Sequence, residues 1–232
     1  MECALKVLEK VNYFSPERTT NQLRLMVELL NSEVTSLRNS NVFFCSMSAS
    51  AGKSTESILQ KVRDLAHMDT RQYDDKFLYL NDLEQFKNDK ARKKIIFVDD
   101  FIGSGGTVEN LHKFLLSKNF YNKHHNYYIG IIVGYENVVD QIETSTPFRI
   151  IHAEELLQES SKIFHKDNVD FNTKEKTALK NYCKLVDPRP DYVYGYKNTQ
   201  SLVIFFENAP NNSIPILHHP TSNWTPLFPR LE

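Results

Sequence analysis

The chain has 232 residues, 41% of them hydrophobic and 25% charged, with a formal net charge of −1. That length makes one large domain, or a domain with appendages, able to bury a substantial core. A charge near zero argues against a general polyanion binder, and no run approaches the roughly 20 apolar residues of a membrane span.

The N-terminus, MECALKVLEKV, lacks the apolar stretch of a signal peptide. Residues 4–13 and 16–38 read as helices, the second opened by Ser15 as cap and Pro16 at the first helical position. Leu23, Leu25, Met26, Leu29 and Leu30 then recur at helical spacing, so residues 1–40 are expected to form a helical extension. Val42–Cys45 is a buried strand, followed by small polar residues to Ser54 and a helix carrying Ile58, Leu59, Val62 and Leu65. Strands are expected at Phe77–Leu80, Ile95–Val98, Tyr128–Val133 and Phe148–Ile151, with helices at Asp82–Lys87 and Thr107–Leu116. Apolar strands alternating with amphipathic helices predict an α/β fold, a mainly parallel sheet flanked by helices.

Beyond residue 156 the expected elements are a helix at Thr173–Lys184 and a strand at Leu202–Phe206. Residues 208–230 hold five of the nine prolines, a density that forbids a regular helix or central strand. They also hold Ile214, Ile216, Leu217, Trp224, Leu227 and Phe228, too apolar a set to stay in water. The tail is therefore expected to pack on the chain itself, with Trp224 shielded. The whole reads as one domain: extension 1–40, core 41–155 and C-terminal cap 156–232. Cys3, Cys45 and Cys183 fit neither a disulfide framework nor a zinc pattern, so reduced thiols in a cytoplasmic chain are expected.

The segment Ile95-Ile96-Phe97-Val98-Asp99-Asp100-Phe101-Ile102-Gly103-Ser104-Gly105-Gly106-Thr107 carries the chemistry. Three of the seven glycines fall within four residues, between a strand and a helix start. Without Cβ atoms there, backbone amides can close on an anion, and the helix dipole and Thr107 hydroxyl add to the attraction. Two adjacent carboxylates at the strand end suit vicinal hydroxyls or a hydrated Mg²⁺. Phosphate cradle and diol acceptors together imply a ribose 5-phosphate ligand. The plain alternative is a strand–turn–helix with solvated acids.

This segment resembles the phosphoribosyl-pyrophosphate (PRPP) motif of type I phosphoribosyltransferases. The resemblance implies that Asp99 and Asp100 bind the ribose hydroxyls and Gly103, Ser104, Gly105, Gly106 and Thr107 the 5-phosphate. It further implies Mg²⁺ bound through PRPP, a homo-oligomer, and transfer at the anomeric carbon with loss of pyrophosphate. The purine-salvage branch has an aspartate where this chain has Gly103, and that residue's role does not carry over. A second anion site is expected at Ser50, Ala51, Gly52, Lys53 and Ser54, where the family's pyrophosphate loop lies. Lys53 would act there beside Asp99 and Asp100 as a catalytic group. Met47 breaks the Walker A pattern, and a capped helix with a surface lysine is the plain reading.

In the loop Asp69–Lys76, Arg71 or Lys76 stands where the resembled family places a mobile basic residue over pyrophosphate, and a solvated loop is the equal alternative. The basic run Lys87, Lys90, Arg92, Lys93, Lys94 is expected to be a solvated face rather than a nucleic-acid site. The pairs His124-His125 and His218-His219 lack metal-ligand spacing. The phrase from Asn208 to Leu217, with Trp224 to Arg230, resembles the C-terminal signature of a phosphoribosyltransferase-like branch of prokaryotic conflict systems, including retron operons. That resemblance implies an antiviral effector with a protein partner. A non-catalytic module that senses PRPP or a nucleotide, or binds a partner, is the rival expectation.

Overall fold

The computed structural model describes residues 2–47 and 54–230, without the side chains of 2 and 54–56. In chain order it contains α1 (Glu2–Lys10), β1 (Asn12–Phe14), α2 (Pro16–Glu33), β2 (Val42–Ser46), α3 (Ser54–Leu65), β3 (Phe77–Leu78) and β4 (Lys94–Val98). Then follow β5 (Phe101–Ile102), α4 (Gly106–Ser117), β6 (Asn126–Ile131), β7 (Val133–Gly134), α5 (Glu136–Ser145) and β8 (Phe148–His152). The last part supplies α6 (Thr173–Val186), β9 (Val203–Phe205) and α7 (Pro215–His218). Among the described residues, no helix is long and apolar enough to cross a membrane.

Contacts divide the chain into two units, Thr20–Leu156 and Met1–Thr19 with Leu157–Glu232. The first is built on a five-stranded parallel sheet in the order β3-β2-β4-β6-β8. Strands buried on both faces read as unbroken apolar runs, which is why Phe43, Ile95, Ile96 and Tyr128 were legible. One face packs Phe97, Ile129 and Ile150 against Leu111 and Leu115 of α4 and Val139 and Ile142 of α5. The other, at Gly130, lies under Met26 and Leu30 of α2.

The second unit pairs β1 with β9 in parallel, Asn12 opposite Val203 and Phe14 opposite Phe205. Its core joins Val7, Ile163, Phe171, Leu179, Cys183, Ile204 and Ile214. Residues 12–13 are thus strand where a helix was expected, because Asn12 donates its amide to Leu202 and Phe14 stacks on Phe205 at 4.6 Å. Helix α2 ends at Glu33 rather than 38, with Thr35 in the left-handed region at φ 73°. Its buried row is Leu23, Met26, Val27 and Leu30, which leaves Leu25 and Leu29 partly exposed. Strand β3 stops at Leu78 because Asp82 accepts the Tyr79 amide at 2.8 Å and starts a 3-10 turn over Leu80–Phe86.

The tail packs as expected at Ile214 and Leu217, both buried, with α7 a single turn opened by Pro215. Trp224 corrects the expectation. It is 36% exposed, its Nε1 donating to the Ile216 carbonyl at 3.1 Å, so the ring lies along the surface instead of in the core.

Buried His218 sets a pH dependence. Its Nε2 lies 3.0 Å from the Ser213 carbonyl, while Nδ1 has no partner among the described residues. Burial pushes its pKa from 6.5 down to about 4. The folded state therefore holds the neutral ring, and the stability it confers is full above the unfolded pKa and lost as pH falls towards 4. The loss amounts to roughly 3 kcal/mol. Denaturant titrations between pH 7 and 4 should show this decline, and His218→Gln should flatten it; a parallel decline in the variant would assign it to other groups.

Candidate functional site

The site is built where β4 ends. Asp99 leaves the strand but its amide still donates to the Gly130 carbonyl of β6 at 3.0 Å. Its neighbour Asp100 offers its carbonyl to the amides of Ile132 and Val133 at 3.2 and 3.3 Å. After this jog the two strands resume as β5 and β7, Phe101 opposite Val133 and Ile102 opposite Gly134. The backbone that carries both acids is therefore pinned to the neighbouring strands. Asp99 is buried, and Asp100 half-buried.

The Asp99 carboxylate accepts the Asp100 amide at 3.0 Å. One such bond does not offset burial. Desolvation, with the adjacent Asp100 charge second, raises the Asp99 pKa well above the ordinary carboxylate range. A buried acid whose charged form is disfavoured in this way gains from any ligand that donates hydroxyls to its oxygens.

The turn that follows has Gly103 and Gly105 buried, Ser104 half-buried and Thr107 exposed. Gly105 caps α4 with φ 73° and ψ −4°, the left-handed conformation that disfavours a side chain. An added Cβ there would also lie 3.1 Å from Val138 Cγ1 of α5. Ser104 Oγ accepts the Gly106 amide at 3.4 Å. The result is a helix of 12 residues whose N-cap residue, Gly105, makes no side-chain cap hydrogen bond and which follows the acids after β5 and the glycine turn. Asp99 and Asp100 thus stand at the end of β4 and Gly103 to Thr107 in the turn and first residues of α4 that follow β5.

Ser50, Ala51, Gly52 and Lys53 lie outside the described residues, as does the side chain of Ser54, the first residue of α3. Arg71 is exposed at the start of a 3-10 helix, Arg71–Lys76. Lys76 corrects its expected role. Its ammonium is buried, donating to the carbonyls of Asn39 and Val42, and burial lowers its pKa. It ties β2 to the preceding turn and is not available to a ligand.

A surface cavity of about 240 Å³ opens beside the last residue of β2, lined by Ser46, Leu59, Gln60, Arg63, Asp74, Phe77, Leu78 and Tyr79. Its Arg63 is already committed to Asp74 and to the Met68 carbonyl, and stacks 5.0 Å over Phe77. The basic run is largely paired: Lys87 with Glu84, Lys93 with Asp89, and Lys94 with the Val34 carbonyl. Sequence reasoning missed the support from β7 and α5. Two-residue strands leave no periodic signal, and only register reveals them.

Comparison with known proteins gives one decisive match: the family model PRTase-CE covers residues 1–230. No curated protein matches. Among solved structures, a hypothetical protein from Neisseria gonorrhoeae with bound ppGpp is similar at 8% identity and a TM-score of 0.36, over 72% of this chain and 97% of that one.

Proposed function

The chain belongs to the PRTase-CE family, which is phosphoribosyltransferase-like, and on that premise we propose that it binds PRPP and transfers its phosphoribosyl group. The observation that carries this reading is the buried Asp99 beside Asp100, followed through β5 by the glycine turn that opens α4. Asp99 and Asp100 accept the ribose 2- and 3-hydroxyls. The amides from Gly103 to Thr107 hold the 5-phosphate, and Lys53 with its neighbours and Arg71 neutralise the pyrophosphate. An acceptor nucleophile bonds to the anomeric carbon as the carbon–oxygen bond to pyrophosphate breaks, the electron pair leaving with pyrophosphate. The acceptor's proton passes to solvent. Mg²⁺ bound through PRPP would supply charge neutralisation on the leaving pyrophosphate.

Gly103 offers no general base, so charge stabilisation carries the rate. The same glycine is the observation that favours the rival, a module that binds PRPP without turning it over. Incubation with PRPP, Mg²⁺ and candidate acceptors separates them: pyrophosphate release supports the enzyme, and tight binding without release supports the sensor. The role proposed for either is an antiviral effector, which phage challenge of cells with and without the gene tests.

Lys53→Ala gives a sharper check on the assignment of ligand ends. A charge-assisted contact is worth about 1.5–3 kcal/mol, so PRPP affinity should fall roughly ten- to a hundredfold. Ribose 5-phosphate, lacking the anomeric pyrophosphate, should lose far less. Equal losses for both ligands would remove Lys53 from the pyrophosphate site.

A further inference from the structure

The outer surface shared by α1 and α6 carries chemistry that the ribose-phosphate reading does not use. The two helices are joined by the Lys6–Glu175 ion pair at 2.9 Å and by Val7, Leu179 and Cys183 in one core. Their inner faces are thereby committed. The outer faces nevertheless present Leu5 at 56% exposure, Leu8 at 41%, Tyr182 at 54% and Leu185 at 78%. Exposed Ala178 lies one turn before Tyr182, so Ala178, Tyr182 and Leu185 form a stripe at helical spacing. Leu5 and Leu8 form a second row on the adjoining helix.

The lysines of α6 sort into two kinds. Lys176 donates to the carbonyls of His165 and Asn168 at 2.8 Å each, and Lys180 lies 5.4 Å over the Phe164 ring. Lys174 and Lys184 are exposed and make no ion pair among the described residues. They stand about 15 Å apart along the helix, beside the apolar stripe. Two apolar rows bordered by a pair of uncommitted cations make a surface complementary to an acidic amphipathic helix.

We infer that the α1–α6 face docks a helix of a partner protein, its apolar edge against Leu5, Tyr182 and Leu185 and its carboxylates opposite Lys174 and Lys184. A second copy fits less well, since a two-fold antiparallel contact centred on α6 sets Lys174 of one copy against Lys184 of the other. An anionic membrane would require the face to sink roughly 5–10 Å, which the packing of Leu179 and Cys183 and the rim pair Lys6–Glu175 oppose. Nucleic acid would leave the leucines without a partner.

The test uses the full chain and two synthetic stapled helices of about fifteen residues, each with one leucine edge. One is flanked by glutamates, the other by lysines. Fluorescence anisotropy should show the glutamate peptide binding the native chain, and about tenfold or greater weakening in Leu185→Asp and in Lys174→Glu with Lys184→Glu. The charge-reversed chain should in turn prefer the lysine peptide. All substituted side chains are exposed, so melting should be unchanged, and Tyr182→Lys replaces Leu185→Asp if that variant misfolds. No binding of the glutamate peptide, or equal binding of both peptides, overturns the proposal. So does a dimer in sedimentation velocity that Leu185→Asp dissolves, which would assign the face to a second copy. Pelleting with phosphatidylglycerol vesicles that the glutamate peptide fails to compete would assign it to a membrane.

Discussion

Replacing Asp99 and Asp100 together by asparagine should weaken PRPP binding by roughly a hundred- to ten-thousandfold while making the fold more stable at neutral pH. The first half follows from hydrogen bonds to charged acceptors, worth about 1.5–3 kcal/mol each, lost at two carboxylates. The second half follows from linkage. Asp99 has a folded pKa raised above its unfolded value, so the folded state binds the proton more tightly. Its stabilising effect is complete below the unfolded pKa and disappears as pH rises through the folded one. At neutral pH, above the unfolded pKa, the buried acid opposes folding, and asparagine removes that opposition. Asparagine also keeps an oxygen where Asp99 accepts the Asp100 amide.

Binding and stability therefore move in opposite directions, which a merely structural role for the acids would not produce. The hydroxyls favour the ionised carboxylate, so PRPP binding should release a proton from Asp99. Calorimetric titration in buffers of different ionisation enthalpy would detect it. Affinity in the native chain should fall as pH drops through the raised pKa, and Asp99→Asn should lose that dependence. Unchanged affinity in a folded double variant sinks the diol assignment.

The parts of this molecule that sequence exposes are those whose signal is local. Val42–Cys45, Ile95–Val98 and the acid–glycine segment each announce themselves within a dozen residues, because burial on both faces and anion binding demand contiguous residue types. Helix α5 leaves no such signal because its N-cap residue is Tyr135, which makes no side-chain cap hydrogen bond, so no Ser, Thr, Asp or Asn marks its start. Lys76 looked like a loop cation because the carbonyls of Asn39 and Val42 that bury it are more than thirty residues away. The pairing of β1 with β9 joins residues 12–14 to 203–205. No window over the sequence contains both.

Gly195 shows how far such non-local demands go, and Gly195→Ala should be the most damaging single-methyl change in its unit. The backbone there has φ 84° and ψ 155°, a region essentially reserved for glycine. An added Cβ would lie 2.1 Å from the Asn212 carbonyl oxygen and 2.9 Å from that of Ser213. Those atoms cannot move aside cheaply. Tyr196 donates its amide to the Asn211 carbonyl at 2.6 Å, and Asn212 Nδ2 donates to Thr199 Oγ1 at 2.9 Å, so the loop and the tail hold each other. Ser213 in turn donates its hydroxyl to the Val203 carbonyl of β9. Backbone strain of about 1–3 kcal/mol, with the displacement added, should cost roughly 3 kcal/mol or more. Lys197→Gly, two residues on, provides the contrast. Lys197 holds φ 52° with a side chain that disfavours it, so glycine should cost little or stabilise the fold. Chemical denaturation of the two variants beside the native chain decides it. A Gly195→Ala chain within about 1 kcal/mol of native would mean that the tail is not locked to this loop.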